Sequence, residues 1–283
     1  MKSIYLLAFI FLILLIAIGT TQDITKIHHL PNVFLHYDVD SMTQLVWIEI
    51  RLPRLLLAFV TGASLGLAGY LMQTLGTNVI SLLLSTVKGK IIPYRMILVG
   101  IAISSLAISL LSLLLYVSGE DQSWKNIIFW TFGSFQTASW SKVLYMSLIV
   151  FPIVVLTYIA FNPFQIMELG EENANRLGVF VQRYRLLLLL LSSILTAVAV
   201  SMVGPIGFIG LIMPHVTRML FKFQLSKSFI PWLCYLSGVF LMICEMISTQ
   251  LFRPQGIPAG ILMSLIGVPF FLYVLLKTSD NNY

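Results

Sequence analysis

Long apolar runs are the feature that most limits what this chain can fold into. Residues 52–75, for example, would extend roughly 36 Å as a helix that rises about 1.5 Å per residue. Crossing the hydrocarbon core of a bilayer takes about 20 predominantly apolar residues. Charged residues make up only 10% of the 283 residues, whereas soluble domains carry about a quarter. We therefore expect an integral membrane protein that folds as an all-α bundle of membrane-spanning helices.

Eight segments are predicted to cross the membrane, within one transmembrane domain that extends over residues 1–283. They are residues 4–18, 52–75, 96–117, 143–161, 184–203, 206–221, 229–252 and 259–276. The first follows Lys2 and could be a signal peptide, but Gly19 to Gln22 makes a poor cleavage site. We interpret it as a retained helix. An even number of spans places both termini on the same side.

Two segments depart from this pattern. Residues 22–50 are the longest polar stretch, and we interpret them as an extracellular loop, since the pair His28 and His29 lacks the spacing of a usual metal site. Residues 79–87 are apolar but too short to cross a bilayer. We expect this short apolar stub to lie at the interface, to pack within the bundle, to re-enter the membrane or to extend the second helix.

The positions of Lys and Arg predict the orientation. With Lys2 inside, eleven Lys and Arg residues fall in predicted cytoplasmic loops and six fall in predicted outer loops. Cytoplasmic loops carry the excess of positive residues in membrane proteins. We therefore expect a multi-pass membrane protein with both termini in the cytoplasm. The net charge of +6 reflects topology here and does not indicate nucleic-acid binding.

Three charged residues at or within the spans need an explanation. Arg51 and Arg54 flank Pro53 on the predicted outer side, against the orientation rule. They either reach lipid phosphate or form a cationic docking patch for an acidic protein. Glu245 lies well inside a span, so it faces the bundle interior, pairs with a donor or lies near the outer interface. The spans offer no further acid or histidine for a proton relay, which disfavours a proton-coupled transporter.

Glycine and proline mark places where helices pack closely or break. Gly62, Gly66 and Gly69 have the small-residue spacing of close helix–helix contacts. Gln73 lies near the cytoplasmic end of the same span and has the chemistry to bond a neighbouring helix. Residues 204–210, followed by Pro214, predict a locally broken helix. Membrane proteins tolerate such a break where the backbone is buried in protein or lines a cavity.

Residues 162–183 are predicted to be a cytoplasmic segment that contains a short helix between Gly170 and Gly178. Acidic residues near the start of this helix and Arg176 near its end suit the helix dipole. Such a helix is either a handle for a partner protein or an ordinary connection. The sequence has no phosphate-binding loop of the Gly-x-x-x-x-Gly-Lys-Ser/Thr type, so any ATP is hydrolysed on another chain.

Four blocks resemble, in order, the permease family of type II ABC importers, which carry iron-siderophores, haem and vitamin B12. The blocks are Arg51-Leu-Pro-Arg54 with the following span to Met72-Gln73, residues 169–178, residues 204–218, and Ile257-Pro-Ala-Gly260 with Gly267-Val-Pro269. The likeness extends over nearly the whole chain after residue 45. It implies a transport subunit for a metal chelate, in the first place an iron-siderophore or haem, and not an enzyme.

The resemblance also implies roles for individual residues and for partners. Docking of an extracellular or periplasmic substrate-binding protein is implied for Arg51, Arg54 and Arg253. Coupling to an ABC ATPase subunit, which would hold ATP and Mg²⁺, is implied for Leu169, Gly170, Glu171, Ala174, Leu177 and Gly178. The pathway and its broken helix would include Gln73, Gly204, Pro205, Gly207, Gly210, Pro214, His215 and Arg218. The family pairs two permeases with two ATPases, and we expect no cofactor, metal or nucleic acid on this chain itself.

One departure from the family bears on transport itself. The family normally has ten spans, and two of them follow the block that ends at Met72-Gln73. Here Asn78 is followed directly by the apolar stub, so about two spans are missing. The alternative is therefore a shortened member that does not transport, that regulates a full-length relative or that is a decayed product. An independent secondary transporter is a weaker third hypothesis, because coupling residues are absent.

Overall fold

The computed structural model describes residues 2–21, 46–83, 93–118, 130–168, 170–221, 227–251 and 256–280. Within these ranges the chain forms ten α-helices, one short π-helical turn at Val46–Arg51, and no strand. The α-helices, numbered in chain order, are α1 (Lys2–Thr21), α2 (Leu52–Leu83), α3 (Pro93–Ser118), α4 (Trp140–Ile159), α5 (Phe161–Glu168), α6 (Glu171–Arg176), α7 (Val181–Val203), α8 (Ile209–Leu220), α9 (Phe229–Gln250) and α10 (Ala259–Asp280). The prediction of an all-α bundle is confirmed.

Helix α2 is the centre of the bundle, because α9, α7, α8 and α4 all pack on it. Three glycines allow this close packing. A Cβ atom added at Gly62 would strike the backbone of Ser237 on α9, and one added at Gly66 would strike the side chain of Ser237. A Cβ atom at Gly69 would strike the backbone of Gly210 on α8. The interpretation of these glycines as helix-packing positions is confirmed.

Helix α1 packs against the first part of α2 and against α9. Leu15 of α1, Leu55 of α2 and Met242 of α9 belong to one buried apolar cluster. The hydroxyl of Tyr235 on α9 also donates a hydrogen bond to the carbonyl oxygen of Ala8, at a distance of 2.7 Å. Residues 2–21 therefore take part in the same bundle as the later helices.

Among the described residues, four helical stretches are long and apolar enough to cross a membrane: Val46–Leu75, Trp140–Ile159, Val181–Val203 and Phe229–Gln250. Shorter apolar helices cover Leu7–Gly19 and Ala259–Leu272. The outward faces are apolar as well, for example at Leu148 and Phe151 of α4 and at Leu106 of α3. Exposed apolar faces of this kind are typical of helices that contact lipid. The count of eight spans and the position of the termini stay predictions.

The structure defines three boundaries more closely, and one of them matches a predicted alternative, the extension of the second helix. The polar loop predicted for residues 22–50 ends before residue 46, since Val46–Arg51 is helical, and residues 22–45 lie outside the described ranges. Residues 79–83 of the apolar stub extend α2 to Leu83, because no proline interrupts the helix that precedes them, and residues 84–87 lie outside the described ranges. The segment 162–183 opens with α5, which is helical because Phe164 and Met167 bury its apolar face.

The sequence predicts that the broken helix includes Pro214, but α8 continues through this residue from Ile209 to Leu220. A proline lacks the N–H group that would bond the carbonyl oxygen four residues earlier, here that of Gly210. The side chain of Gln73 on α2 supplies a donor to this carbonyl instead. The helix continues because a neighbouring helix meets the backbone group that the proline leaves open. The break lies earlier, at residues 204–208, which are not helical.

The contact between Gly69 and Gly210 predicts the outcome of a matched pair of substitutions. Gly69→Ala should destabilise the protein by about 1–3 kcal/mol, because the added methyl group must separate α2 from α8. Gly207→Ala is the control, since a Cβ atom at Gly207 meets nothing within 4 Å. Thermal unfolding in detergent would measure both, and equal stability of the two variants would contradict the packing account.

Candidate functional site

At one end of the bundle, an ion pair joins the first turn of α2 to α9. Pro53 is accommodated in that first turn, where its missing N–H costs little. The next residue, Arg54, donates a hydrogen bond from Nε to Oε1 of Glu245 on α9. Glu245 is only 1% exposed and the side chain of Arg54 is 22% exposed. Of the environments considered for Glu245, the structure gives it both a buried position and a basic partner.

The other predicted docking residues lie near this ion pair in the sequence. Arg51 is the last residue of the π-helical turn and is half-buried. That turn is held to α4, since Nε1 of Trp140 donates to the carbonyl oxygen of Ile48 at 3.1 Å. Arg253 lies outside the described residues. Arg54 is directed toward Glu245, and Arg51 lies three residues earlier, just before the start of α2.

The backbone is broken between α7 and α8, where the sequence predicts a break. Helix α7 ends at Val203. The next residue, Gly204, has a φ of 80°, and its N–H donates a hydrogen bond to the carbonyl oxygen of Val200 at 2.8 Å. Phe208 has a φ of 66°, in the left-handed region, and α8 begins at the next residue. The segment before α4 also bonds to the break, since the backbone N–H of Ser134 donates to the carbonyl oxygen of Val203 at 2.8 Å. These bonds satisfy backbone groups that lipid could not.

Beside this break lies a groove of about 710 Å³. One wall is helix α10, and the opposite wall is the segment before α4 together with the broken backbone. The lining residues are Thr131, Phe132, Pro205, Gly260, Ile261, Ser264, Leu265, Val268 and Pro269. The lining is mostly apolar and carries two hydroxyl groups. A groove of this size and chemistry has room for a large ligand with apolar surface.

At the other end of α2, a cluster of polar side chains connects three helices. Gln73 Nε2 donates to the carbonyl oxygens of Gly210 and Leu211, at 3.1 and 3.3 Å. Arg218 Nη1 reaches Gln73 Oε1 at 3.5 Å, and Arg218 Nη2 pairs with Glu168 Oε1 at 3.4 Å. Thr74 Oγ1 lies 3.2 Å from the same oxygen of Glu168 and 3.0 Å from the carbonyl oxygen of Tyr70, so its one hydrogen has two acceptors within reach. We call Gln73, Thr74, Glu168 and Arg218 the polar cluster.

The predicted short helix between two glycines is confirmed as α6. Gly170 and Gly178 flank it with φ values of 99° and 78°, in the region that favours glycine. Ala174 is buried, and its carbonyl accepts a hydrogen bond from Val179 at 2.9 Å. Leu177 is 63% exposed. Leu169 and the side chain of Glu171 lie outside the described residues.

The residues predicted for the pathway fall into separate places. Gln73, Gly210 and Arg218 come together at the polar cluster, whereas Gly204 and Pro205 belong to the broken backbone beside the groove. The remaining three lie apart, with Gly207 and His215 exposed and Pro214 buried within α8. One sequence span therefore contributes to two distant regions.

Sequence reasoning missed Glu168 and Thr74 of the polar cluster and the groove wall on α10. Glu168 offered a signal, because an acid at the end of a helix opposes the helix dipole and needs a compensating partner. Thr74 and the wall residues carry no such signal. They are ordinary residues of apolar helices, and only the packing of α2 and α10 gives them neighbours.

The sequence profile of the FecCD transport family matches residues 6–81 and 75–277. The chain is 30% identical to the hemin transport system permease protein HmuU of Yersinia pestis, over 83% of this chain and 84% of that relative. It is 26% identical to the vitamin B12 import system permease protein BtuC of Vibrio vulnificus, over 86% of each chain. A solved structure described as an inward-facing conformation of a metal-chelate type ABC transporter is 24% identical, with a TM-score of 0.76, over 98% of this chain and 100% of that one.

The same comparisons bear on the length of this chain. The alignment with the hemin permease runs over 284 residues but takes in 83% of the 283 residues here. Roughly 50 positions of that relative therefore have no counterpart, about the length of two 20-residue spans with their connections. The two matches to the family profile meet at residues 75–81, at the apolar stub.

The ion pair between Arg54 and Glu245 predicts that replacing Arg54 alone lowers stability strongly and that replacing both residues restores most of it. Arg54→Met should cost about 3–5 kcal/mol, because it leaves the Glu245 carboxylate buried without its partner. Adding Glu245→Met should recover most of the loss, since apolar residues of similar size replace buried ion pairs well. Thermal unfolding in detergent measures both variants. A double variant as unstable as the single one would show that the pair is not the cause.

Proposed function

This chain belongs to the FecCD transport family, and we propose that it is the membrane-spanning permease of an ATP-driven importer for an iron-siderophore, haem or a related metal chelate. The family assignment makes it a multi-pass membrane transport subunit. The observation that carries the proposal is α6, a short helix set off by two left-handed glycines, with Leu177 exposed beside it. Such a projection has the form of a docking element for a second protein.

Three partners follow from the proposal. A separate ABC ATPase subunit binds α6 and the residues around it and hydrolyses ATP with Mg²⁺. A substrate-binding protein docks at the opposite end of the bundle, where Arg51 lies. A second permease chain completes the complex, which resides in the plasma (inner) membrane. The metal-chelate cargo is supported by relatives named for hemin and vitamin B12 transport.

The groove beside Pro205 is the proposed stretch of the pathway within one chain. Its walls are mostly apolar, so a bulky chelate with apolar surface would find few charges to bind it tightly. Weak binding suits a pathway, because a transported molecule has to leave as well as enter. The broken backbone of residues 204–208 forms one side of it, and such irregular backbone is tolerated in membranes where it lines a cavity.

Reconstitution with the cognate ATPase and binding protein tests the outer docking role. Liposomes should show ATP-dependent uptake of a labelled iron-siderophore or haem, and Arg51→Glu should reduce it at least tenfold by repelling an acidic partner surface. Lys227→Glu, the same charge change at an exposed position on the predicted cytoplasmic side, should leave uptake intact. Arg54→Glu is unsuitable, since it would set two carboxylates together inside the bundle.

The uptake experiment also separates the proposal from its alternative. Absence of uptake across iron-siderophores and haem, with ATPase binding intact, would favour a shortened subunit that does not transport. Loss of ATPase binding as well would point to a decayed relative. Uptake that Arg51→Glu does not change would retain the importer and reject docking at Arg51.

The exposed residue at the end of α6 gives a separate prediction for the ATPase contact. Leu177→Asp should weaken co-purification of the ATPase at least tenfold, because it places a charge in an apolar contact. Stability should change little, since the side chain is already exposed. Gln250→Asp adds the same charge at an exposed position at the other end of the bundle and is the control. Equal co-purification by the two variants would exclude Leu177 from the interface.

A further inference from the structure

Helix α8 depends on a side chain from another helix to satisfy its backbone. Pro214 has no N–H, so the carbonyl oxygen of Gly210 lacks the donor that an α-helix normally provides. Gln73 Nε2 lies 3.1 Å from this oxygen and 3.3 Å from the next carbonyl, that of Leu211. The Gln73 amide therefore takes the place of the missing backbone donor.

The oxygen atom of the Gln73 amide connects it, through Arg218, to the residue at the end of α5. Gln73 Oε1 accepts from Arg218, which also pairs with Glu168, the last residue of α5. Helix α6 begins three residues later. An acid is disfavoured at a helix C-terminus, but here Arg218 pairs with Glu168, and the hydroxyl of Thr74 lies within hydrogen-bond distance of the same carboxylate. The arrangement places a compensated acid directly before the docking helix.

The opposite end of α8 reaches the groove. Its first residue, Ile209, follows the broken backbone whose Pro205 lines the groove wall. Helix α8 is short, roughly 18 Å from end to end. A displacement at Arg218 is therefore carried along α8 to the broken backbone, and close packing of Gly210 on Gly69 prevents α8 from absorbing it by sliding sideways.

We infer that Gln73, Glu168 and Arg218 are positioning residues that transmit movement of α5 and α6 to the broken backbone beside the groove. The inference rests on the proposed function, because the ATPase is the source of that movement. Glu168 and Arg218 connect α5 to α8, and Gln73 holds α8 to α2 at the point where the proline has opened its backbone. The three residues serve transport without contacting the cargo.

A double-mutant cycle tests the backbone role of Gln73 without any partner protein. Gln73→Leu should lower the melting temperature in detergent by about 3–8 °C, because a carbonyl loses its donor. In a Pro214→Ala background the alanine N–H can bond Gly210, so the same substitution should lower it by less than half as much. Gln250→Leu, an exposed position at the other end of the bundle, is the control. An equal loss in both backgrounds overturns the backbone role.

A second arm tests transmission with a readout that stability alone does not change. A fluorescent label on His215→Cys, exposed on α8 and distant from the buried Cys234 and Cys244, should respond to ATP in the complex with the ATPase. Glu168→Gln, and Gln73→Leu combined with Pro214→Ala, should at least halve that response while the ATPase stays bound. The combined variant is decisive, because it restores the backbone bond but not the contact to Arg218.

The outcomes of this arm separate the inference from the proposed function. An unchanged response in both variants, or no response in the parent protein with the ATPase bound, overturns transmission through the polar cluster and leaves the importer proposal standing. Failure of the parent protein to bind the ATPase overturns the proposed function and the transmission together. The double-mutant cycle still decides the backbone role of Gln73 in that case.

Discussion

A helix inside a bilayer has no water to satisfy its backbone, so every N–H and C=O group that leaves the regular pattern needs a partner from the protein itself. The structure meets this requirement at two irregular places. The carbonyl oxygen of Val203, at the end of α7, accepts a hydrogen bond from the backbone N–H of Ser134. The carbonyl oxygen of Gly210, for which Pro214 has no N–H, accepts one from the side chain of Gln73. The irregular segments therefore depend on neighbouring helices, and the helices in turn are fixed relative to one another by those segments.

Helix α2 makes several of the contacts that fix the helices relative to one another. Near its start Arg54 meets the buried Glu245, and roughly 28 Å further along the helix Gln73 meets α8. Between them Gly62 and Gly69 bring α9 and α8 into backbone contact. One helix thus connects the predicted outer docking region with the predicted cytoplasmic one. A transport subunit needs such a connection, because events at the two faces have to be coordinated.

The shorter length of this chain gives the arrangement particular weight. The hemin permease has roughly 50 further positions, and the two matches to the family profile meet at residues 75–81, within α2. The polar cluster, the ion pair and the groove are nevertheless built entirely from helices that this chain retains. The proposed route from α6 through Arg218 and α8 to Pro205 does not cross the shortened region.

Sequence alone determined the membrane class, the all-α fold and the positions of most helices, because lipid demands long apolar runs and glycines mark close contacts. It also located the broken backbone at residues 204–208 and the short helix before Gly178. Only the tertiary structure decided which polar residues meet. Arg54 and Glu245 are 191 residues apart, and Gln73 and Arg218 are 145 apart. Their spacing carries no helical periodicity, so these contacts follow solely from how α2, α8 and α9 pack.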